Sequence, residues 1–411
     1  MSSPSPSVSV AAAAEGATAF YFDTPLLDEH SAELLRSVNS HGGYAYTSMA
    51  SLAAGGDLRA AEAAREMAWE QLHSGPSDSV LPVWRDAYSL ACLHVARLSY
   101  GKGEGVEALR ALDLGIIMGG TLLRKDLQGA VDVVRRAIRV EEEGKKLVEK
   151  DMDRPEILST LPIRSLSSKV VPKRSALSLE GFLSEFVLSG YPVIITEGMT
   201  HWPALTKWND FEYLKQVAGH HTVPVEVGNN YLCSDWKQEL ITFSEFLERV
   251  RSNDSADVGP TYLAQHPLFD QINELKEDIF IPDYCFAGGG ELKSMNALFG
   301  PSGTVTPLHH DPHHNILAQV VGSKYVRLYS SSFSEELYPY NDTMLVNSSQ
   351  VDLDAINKEF PKILDLEFYD CILEAGEMLY VPPKWWHYVR SLTPSLAVSF
   401  WWSNPDNMEE S

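Results

Sequence analysis

Residues 304–329 read TVTPLHHDPHHNILAQVVGSKYVRLY, and the fold follows from how this stretch and its neighbours alternate. Asn315–Val321 and Lys324–Tyr329 are short runs rich in β-branched and aromatic residues. Between them stands Gly322-Ser323, so the pattern predicts a hairpin with a two-residue turn. Toward the C-terminus EMLYVPP (377–383), WHYVRSL (386–392) and SLAVSFWW (395–402) follow at short intervals. In the last of these Leu396, Val398, Phe400 and Trp402 share one face by period two. Many short strands with tight turns predict a β-sandwich or a double-stranded β-helix, the jelly roll.

Toward the N-terminus, SLEGFLSEFVLSGYPVIITEG (178–198) reads as a helix, a stop at Gly190 and a buried strand Tyr191–Thr196. Residues 151–175, with prolines at 155, 162 and 172, read as a linker. Ahead of it the pattern is helical. LRAAEAAREMAWEQLHSG (58–75) is rich in Ala, Glu and Arg and stops at Gly75, a C-terminal cap. Pro82 opens VWRDAYSLACLHVARLSYG, with Trp84, Tyr88, Ala91, Cys92 and Val95 at helical spacing. DLQGAVDVVRRAIRVEEEGKKLVEK (126–150) continues the theme and ends in a charge run. These are consecutive helical hairpins, similar to a tetratricopeptide array but without a fixed-period repeat. The chain thus reads as α+β: a flexible Ser/Ala/Pro-rich tail (1–20), a helical domain (21–150), the linker (151–175) and a β-rich domain (176–411).

Composition bounds the function. With 411 residues, 44% hydrophobic and 22% charged, the chain is neither disordered, collagenous nor disulfide-stapled. The longest apolar stretch, around Leu112–Leu123, is broken by Asp113 and three glycines, so no membrane span is expected. No basic residue precedes Arg36, which speaks against a secretory or transit leader and for a soluble intracellular protein. Cys92, Cys233, Cys285 and Cys371 form no C-x-x-C pair and read as reduced core residues. Net charge is −23; residues 1–150 carry 15 basic and 20 acidic side chains (−5), leaving 18 and 36 (−18) for 151–411. A surface that acidic repels nucleic-acid phosphates and favours a basic partner.

The chemistry sits in Thr304–Asn315, where five of twelve residues are His or Asp. Residues two apart on an extended strand point to the same side, so His309 and Asp311 converge while His310 faces away. A helical His309/His313 pair is the rival, with Pro312 badly placed for a helix interior. A third ligand has to come from an adjacent strand. His387, after the Pro382-Pro383 turn, is the best candidate. Two histidines and one carboxylate on one face of a metal is the non-haem Fe(II) arrangement, with the opposite face open to co-substrate and O2. Taken singly, H-x-D is a weak pattern, His387 reads equally as a packed core histidine, and the loop reads equally as a zinc site.

At this point the sequence resembles the JmjC-domain Fe(II)/2-oxoglutarate dioxygenases. It is most similar to plant members of the group known as lysine-specific demethylase eight or jumonji-domain-containing protein five. The resemblance runs through AAREMAWEQLHSG…LPVWRDAY, HWPA (201–204), VPVEVG (223–228), YLAQHPLFDQI (262–272), IPDYC (281–285) and everything from Phe299 to Ser403. It implies a JmjC jelly roll of the cupin type for residues 176–411. It places the iron ligands on His309, Asp311 and His387, and the 2-oxoglutarate pocket on Tyr262, Thr306, Asn315 and Lys324. Trp236 and Trp401 look similar to the family's aromatic walls. The chemistry agrees: the distal carboxylate of 2-oxoglutarate needs a cation, and Lys324 is expected to reach it from the second strand of the hairpin. Leu298 departs from the aromatic residue of animal members, and His310, His313 and His314 replace more neutral residues.

The implied reaction uses Fe(II), 2-oxoglutarate and O2, yields succinate and CO2, and oxidises a substrate C–H bond. Histone lysine demethylation stands first, with chromatin and transcription regulation and a link to circadian and developmental control. Arginyl C-hydroxylation stands second. A non-catalytic jelly roll that binds chromatin, or a zinc cupin, is the reading from another class. The expected partner is a basic peptide or histone tail, with protein partners for the helical domain and no direct reading of nucleic acid. The resemblance implies a nuclear location, with the cytoplasm as a further site, since Lys173-Arg174 alone is too short for a nuclear signal.

Overall fold

Alanine-rich helices fill the first part of the chain. In the computed structural model, residues 23–76, 79–142, 161–162, 164–166, 169–252, 259–341, 345–355 and 359–404 are described. Contacts divide the chain into two units, Met1–Lys146 and Leu147–Ser411. The tail at 1–20, the charge run beyond Glu142 and residues 151–160 of the expected linker lie outside the described residues.

The first unit comprises α1 (Pro25–Ser40), α2 (Tyr44–Ala54), α3 (Leu58–Leu72), α4 (Pro82–Gly101), α5 (Gly105–Met118) and α6 (Arg124–Glu142). Asp57 caps α3 by accepting from Ala60 N at 3.1 Å. The helix buries Ala60, Ala61, Ala64 and Ala68, small side chains that allow its neighbours a close approach. Helix α4 has proline in its first turn and buries Trp84, Tyr88, Ala91, Cys92 and Val95, the set that helical spacing predicted. The first backbone N–H groups of α1 are met from far along the chain: buried Asp126 accepts from Leu26 N (3.3 Å) and Leu27 N (2.7 Å). Those donors have no partner inside the helix, and the carboxylate also complements the positive end of its dipole. Asp126→Ala is therefore expected to destabilise this unit by about 1–3 kcal/mol, read as a lower midpoint in thermal unfolding.

The second unit opens with β1 (Lys169–Val170) and β2 (Lys173–Ser175). Both come from the end of the segment read as a linker, and both pair in parallel, β1 with residues 369–370 and β2 with residues 194–196. Then come α7 (Leu179–Phe182), which runs into a π turn at 183–187, and β3 (Val193–Thr196), followed by α8 (Ala204–Lys207) and α9 (Phe211–Ala218). Gly190 ends the helical segment with φ +67°, as a glycine stop should. Next are β4 (Thr222–Val227), β5 (Lys237–Thr242), α10 (Phe243–Ser252), β6 (Thr261–His266), α11 (Leu268–Gln271) and α12 (Asn273–Lys276). The remaining strands are β7 (Glu291–Gly300), β8 (Val305–His310), β9 (His314–Val321), β10 (Ser323–Tyr329), β11 (Tyr369–Glu374), β12 (Met378–Val381), β13 (Trp386–Ser391) and β14 (Ser395–Ser403).

Two sheets result, ordered β1-β11-β10-β13-β8 and β2-β3-β12-β9-β14-β7-β6-β4-β5. From β11 onward successive strands alternate between them, the winding of a double-stranded β-helix. This corrects the expected hairpin. Strands β9 and β10 are consecutive but lie in different sheets: β9 pairs with β12 and β14, and β10 with β11 and β13. Gly322, at φ +73°, carries the chain across, and a Cβ there would lie 2.1 Å from Pro394 O. The turn signal was genuine, but β9 is buried along almost its whole length and needs strands on both flanks, which a two-residue hairpin cannot supply.

The predicted period-two face of β14 holds. Leu396, Val398, Phe400 and Trp402 join the large core formed with the helices, while Ser399 and Trp401 look into a cavity between the sheets.

Candidate metal centre

Strand β8 delivers His309 near its end, Asp311 follows one residue beyond it, and β13 lies antiparallel alongside with His387 paired directly to His309. The two imidazole rings are 4.1 Å apart. One ligand atom from each of His309, Asp311 and His387 lies within 4.8 Å of the others, and all three residues are buried. Asp311 bridges the pair, Oδ1 at 3.9 Å from His309 Nε2 and Oδ2 at 3.6 Å from His387 Nε2.

Both rings are oriented from behind by the backbone. His309 Nδ1 lies 2.8 Å from Pro307 O, and His387 Nδ1 lies 3.1 Å from Trp385 O. A carbonyl oxygen only accepts, so each Nδ1 carries a hydrogen and each Nε2 is the ring atom turned toward Asp311. Burial, followed by the neighbouring His309, pushes His387 down to about 4, so it is a neutral donor at physiological pH. Two imidazole nitrogens and a carboxylate, gathered out of water, suit a divalent transition metal such as Fe(II).

The other histidines of the loop turn elsewhere. His310 packs its ring against Trp386 at 4.6 Å, His313 Nδ1 meets Ser403 Oγ at 2.8 Å, and His314 Nδ1 meets Tyr380 Oη at 2.9 Å. The helical His309/His313 alternative is thereby removed: His309 is on a strand, and His313 is spent on a different contact.

A cavity of about 330 Å³ opens on the metal face. Tyr262, Thr306, Asn315, Lys324 and Trp401 line it together with His309, Asp311 and His387, and so does Leu298. Trp236 does not; it stands beside Glu226, which does. Lys324 is buried, and burial pushes its ammonium down to about 7. Its Nζ donates to Ser391 Oγ at 2.9 Å and sits 5.8 Å from the Tyr262 ring centroid, and it makes no ion pair among the described residues. Burial raises the Tyr262 phenol while a hydrogen bond with Thr306 draws it back, and both residues line the cavity with the lysine. Asn315 Nδ2 donates to Asp311 Oδ2 at 3.3 Å, and among the described residues its buried Oδ1 has no partner, nor has Trp401 Nε1. A lone buried ammonium with unpaired polar atoms around it fits a dicarboxylate such as 2-oxoglutarate.

Lys324 reaches this place from the sheet opposite β9 rather than from a hairpin. Ser391, Glu226, Tyr231 and Ser348 belong to the site or its rim without being singled out by spacing. Ser391 is within reach, because it lies four residues after His387 and so on the same strand face; Glu226 and Ser348 lie on other elements, within stretches that carry the resemblance, and Tyr231 lies outside them.

A jelly roll holding two histidines and an aspartate at the mouth of an inter-sheet cavity defines a cupin-like protein, and residues 179–408 match the family described as a cupin-like domain. Residues 24–148 match the family of KDM8-like, N-terminal ARM repeats, so the helical hairpins are of ARM kind rather than tetratricopeptide. The chain is 65% identical over 404 residues to lysine-specific demethylase JMJ30 of Arabidopsis thaliana, covering 93% of this chain and 94% of that one. It is 42% identical to lysine-specific demethylase 8 of Danio rerio, with 82% and 86% covered. Jumonji C domain-containing protein 5 of Drosophila melanogaster is 36% identical, with 86% and 90% covered. This chain belongs to the lysine-specific demethylase 8 family of JmjC proteins.

Proposed function

We propose that the protein is an Fe(II)- and 2-oxoglutarate-dependent lysine demethylase acting on histone tails in the nucleus, in the regulation of chromatin and transcription. One observation carries the reading: three metal donors and a buried ammonium with no ion pair among the described residues line the same cavity. In it His309, Asp311 and His387 hold iron, Lys324 binds the distal carboxylate of the co-substrate, and Thr306, Tyr262 and Asn315 complete its hydrogen bonds. When bound, iron and 2-oxoglutarate use O2 to oxidise a substrate C–H bond, with succinate and CO2 as co-products. The apolar walls, Leu317, Val326, Leu379, Val381 and Val389, keep water away. Glu226, half-buried in the same cavity, gives a cationic side chain a counter-charge.

That carboxylate suits a guanidinium equally, so arginyl C-hydroxylation is the second reading. A binding module without turnover would have no use for a complete donor set beside a buried lysine. The ARM-repeat unit is proposed to bind protein partners. Incubation with methyl-lysine and arginine histone peptides, followed by mass spectrometry, is expected to show loss of methyl groups, matched by succinate and abolished in His309→Ala. Gain of one oxygen on arginine without any demethylation selects the second reading, and peptide binding without succinate selects the module.

A further inference from the structure

Two loops meet at the mouth of the metal cavity. One, residues 228–236, joins β4 to β5, and its base is closed by backbone contact. A Cβ on Gly228 (φ +120°) would lie 3.1 Å from Asp235 O and Trp236 Cα, and one on Gly259 (φ +80°) would lie 2.9 Å from Gly228 Cα. Only glycine tolerates both the conformation and the approach. Above that base the loop is held by its own bonds: Asn229 Nδ2 donates to Asp235 Oδ2 (3.3 Å), Leu232 N to Asn230 Oδ1 (3.0 Å) and Cys233 N to Asn230 O (3.0 Å).

The other loop, residues 345–349, is fastened to the strand that carries the metal donors. His310 N donates to Asn347 O (2.9 Å), Asn347 Nδ2 to His310 O (3.1 Å) and Ser349 N to Leu308 O (2.8 Å). Ser348 forms an isolated bridge with His309 itself. A hydroxyl is therefore fixed next to a metal donor on one side of the mouth.

A side-chain hydrogen bond spans the two loops: Tyr231 Oη and Ser348 Oγ are 3.0 Å apart, and both residues line the cavity. Burial raises the Tyr231 phenol above its ordinary range; Ser348 draws it back, and Glu226 and Asp311 add to the rise. The phenol stays neutral at physiological pH and keeps its hydrogen. A hydrogen bond between two neutral hydroxyls is a weak tie, able to yield to an incoming peptide.

We infer that Tyr231 is a substrate-positioning residue: tied to Ser348, its ring closes the mouth above His309, Asp311 and His387 and confines the substrate side chain to one line of approach. The inference rests on the oxygenase reading and adds a device that this reading does not require. Because the base of the 228–236 loop is rigid, opening is a motion of its tip. When the tie is lost, co-substrate is still consumed but the target carbon is held less well.

The test uses the full-length protein and the histone-peptide panel, with succinate and modified peptide counted in the same reaction and peptide affinity measured by calorimetry. Tyr231→Phe and Ser348→Ala are each expected to weaken peptide KM and affinity about 5-fold. Each should also raise the succinate formed per modified peptide, with KM for 2-oxoglutarate unchanged. Ser348→Thr restores the wild-type values, and the double variant is no worse than either single one, because the two hydroxyls act as a pair. Wild-type affinity and coupling in Tyr231→Phe, or additive losses in the double variant, overturn the latch. A wild type that makes no succinate overturns the oxygenase reading instead, while the affinities still decide whether Tyr231 positions the peptide.

Discussion

Replacing His387 by alanine is expected to lower succinate formation and substrate turnover at least about 10³-fold, since a bound metal supplies several kcal/mol of transition-state stabilisation. The imidazole comes from β13, and no other histidine faces the site from that strand. Its loss leaves His309 and Asp311, two donors from one strand end, and iron content measured by elemental analysis should fall with activity. The fold should survive, because the ring is uncharged and its backbone pairing with β8 does not depend on the side chain. His313→Ala is the matched control. That ring meets Ser403, outside the donor set, so iron content and turnover should stay near wild type. If His313→Ala also loses its iron, the strand geometry has been misread.

Lys324→Ala should raise KM for 2-oxoglutarate about 10²–10³-fold, because removing one partner of a buried charge pair costs about 3–5 kcal/mol. Nothing else among the described cavity-lining residues carries a positive charge, and Ser391 alone cannot replace it. The same lysine sets a pH dependence. Without co-substrate its pKa is lowered by burial to about 7, whereas a bound carboxylate favours the ammonium and raises it. Below about pH 7 the cation is already present. Above it, binding has to take up a proton, so affinity falls by roughly tenfold per pH unit until the pKa of the complex is reached. Calorimetry of 2-oxoglutarate binding in buffers of different ionisation enthalpy should detect that uptake above pH 7 and lose it in Lys324→Ala. A pH-independent affinity would remove Lys324 from the co-substrate site.

Much of this arrangement can be read from spacing, and the exceptions share a cause. Trp84, Tyr88, Ala91, Cys92 and Val95 fall on one buried stripe because helical periodicity is a local property of the chain. Leu396 to Trp402 alternate for the same reason on a strand, and the two-residue offset brought His309 and Asp311 together. What failed was pairing. Gly322 announces a turn whether the next strand returns alongside or crosses to the facing sheet, and only the burial of β9 between two neighbours decides which. Residues 169–175 look like a linker because they are polar and prolyl, yet their backbone groups complete the edges of both sheets. Tyr231, Ser348 and Glu226 come from loops and strands far apart in the chain, so neither periodicity nor spacing brings them together. The kind of helical repeat was hidden likewise, since its helices differ in length from 11 to 20 residues and set no fixed period.

One metal ion is expected between His309, Asp311 and His387, with one face left open to the cavity. Crystals grown without oxygen in the presence of Fe(II), with anomalous diffraction recorded across the iron edge, test it most directly. One dominant peak is expected about 2.0–2.2 Å from Nε2 of His309, Nε2 of His387 and a carboxylate oxygen of Asp311. A peak that lacks His387, or that gathers His310, His313 or His314 in its place, would contradict it.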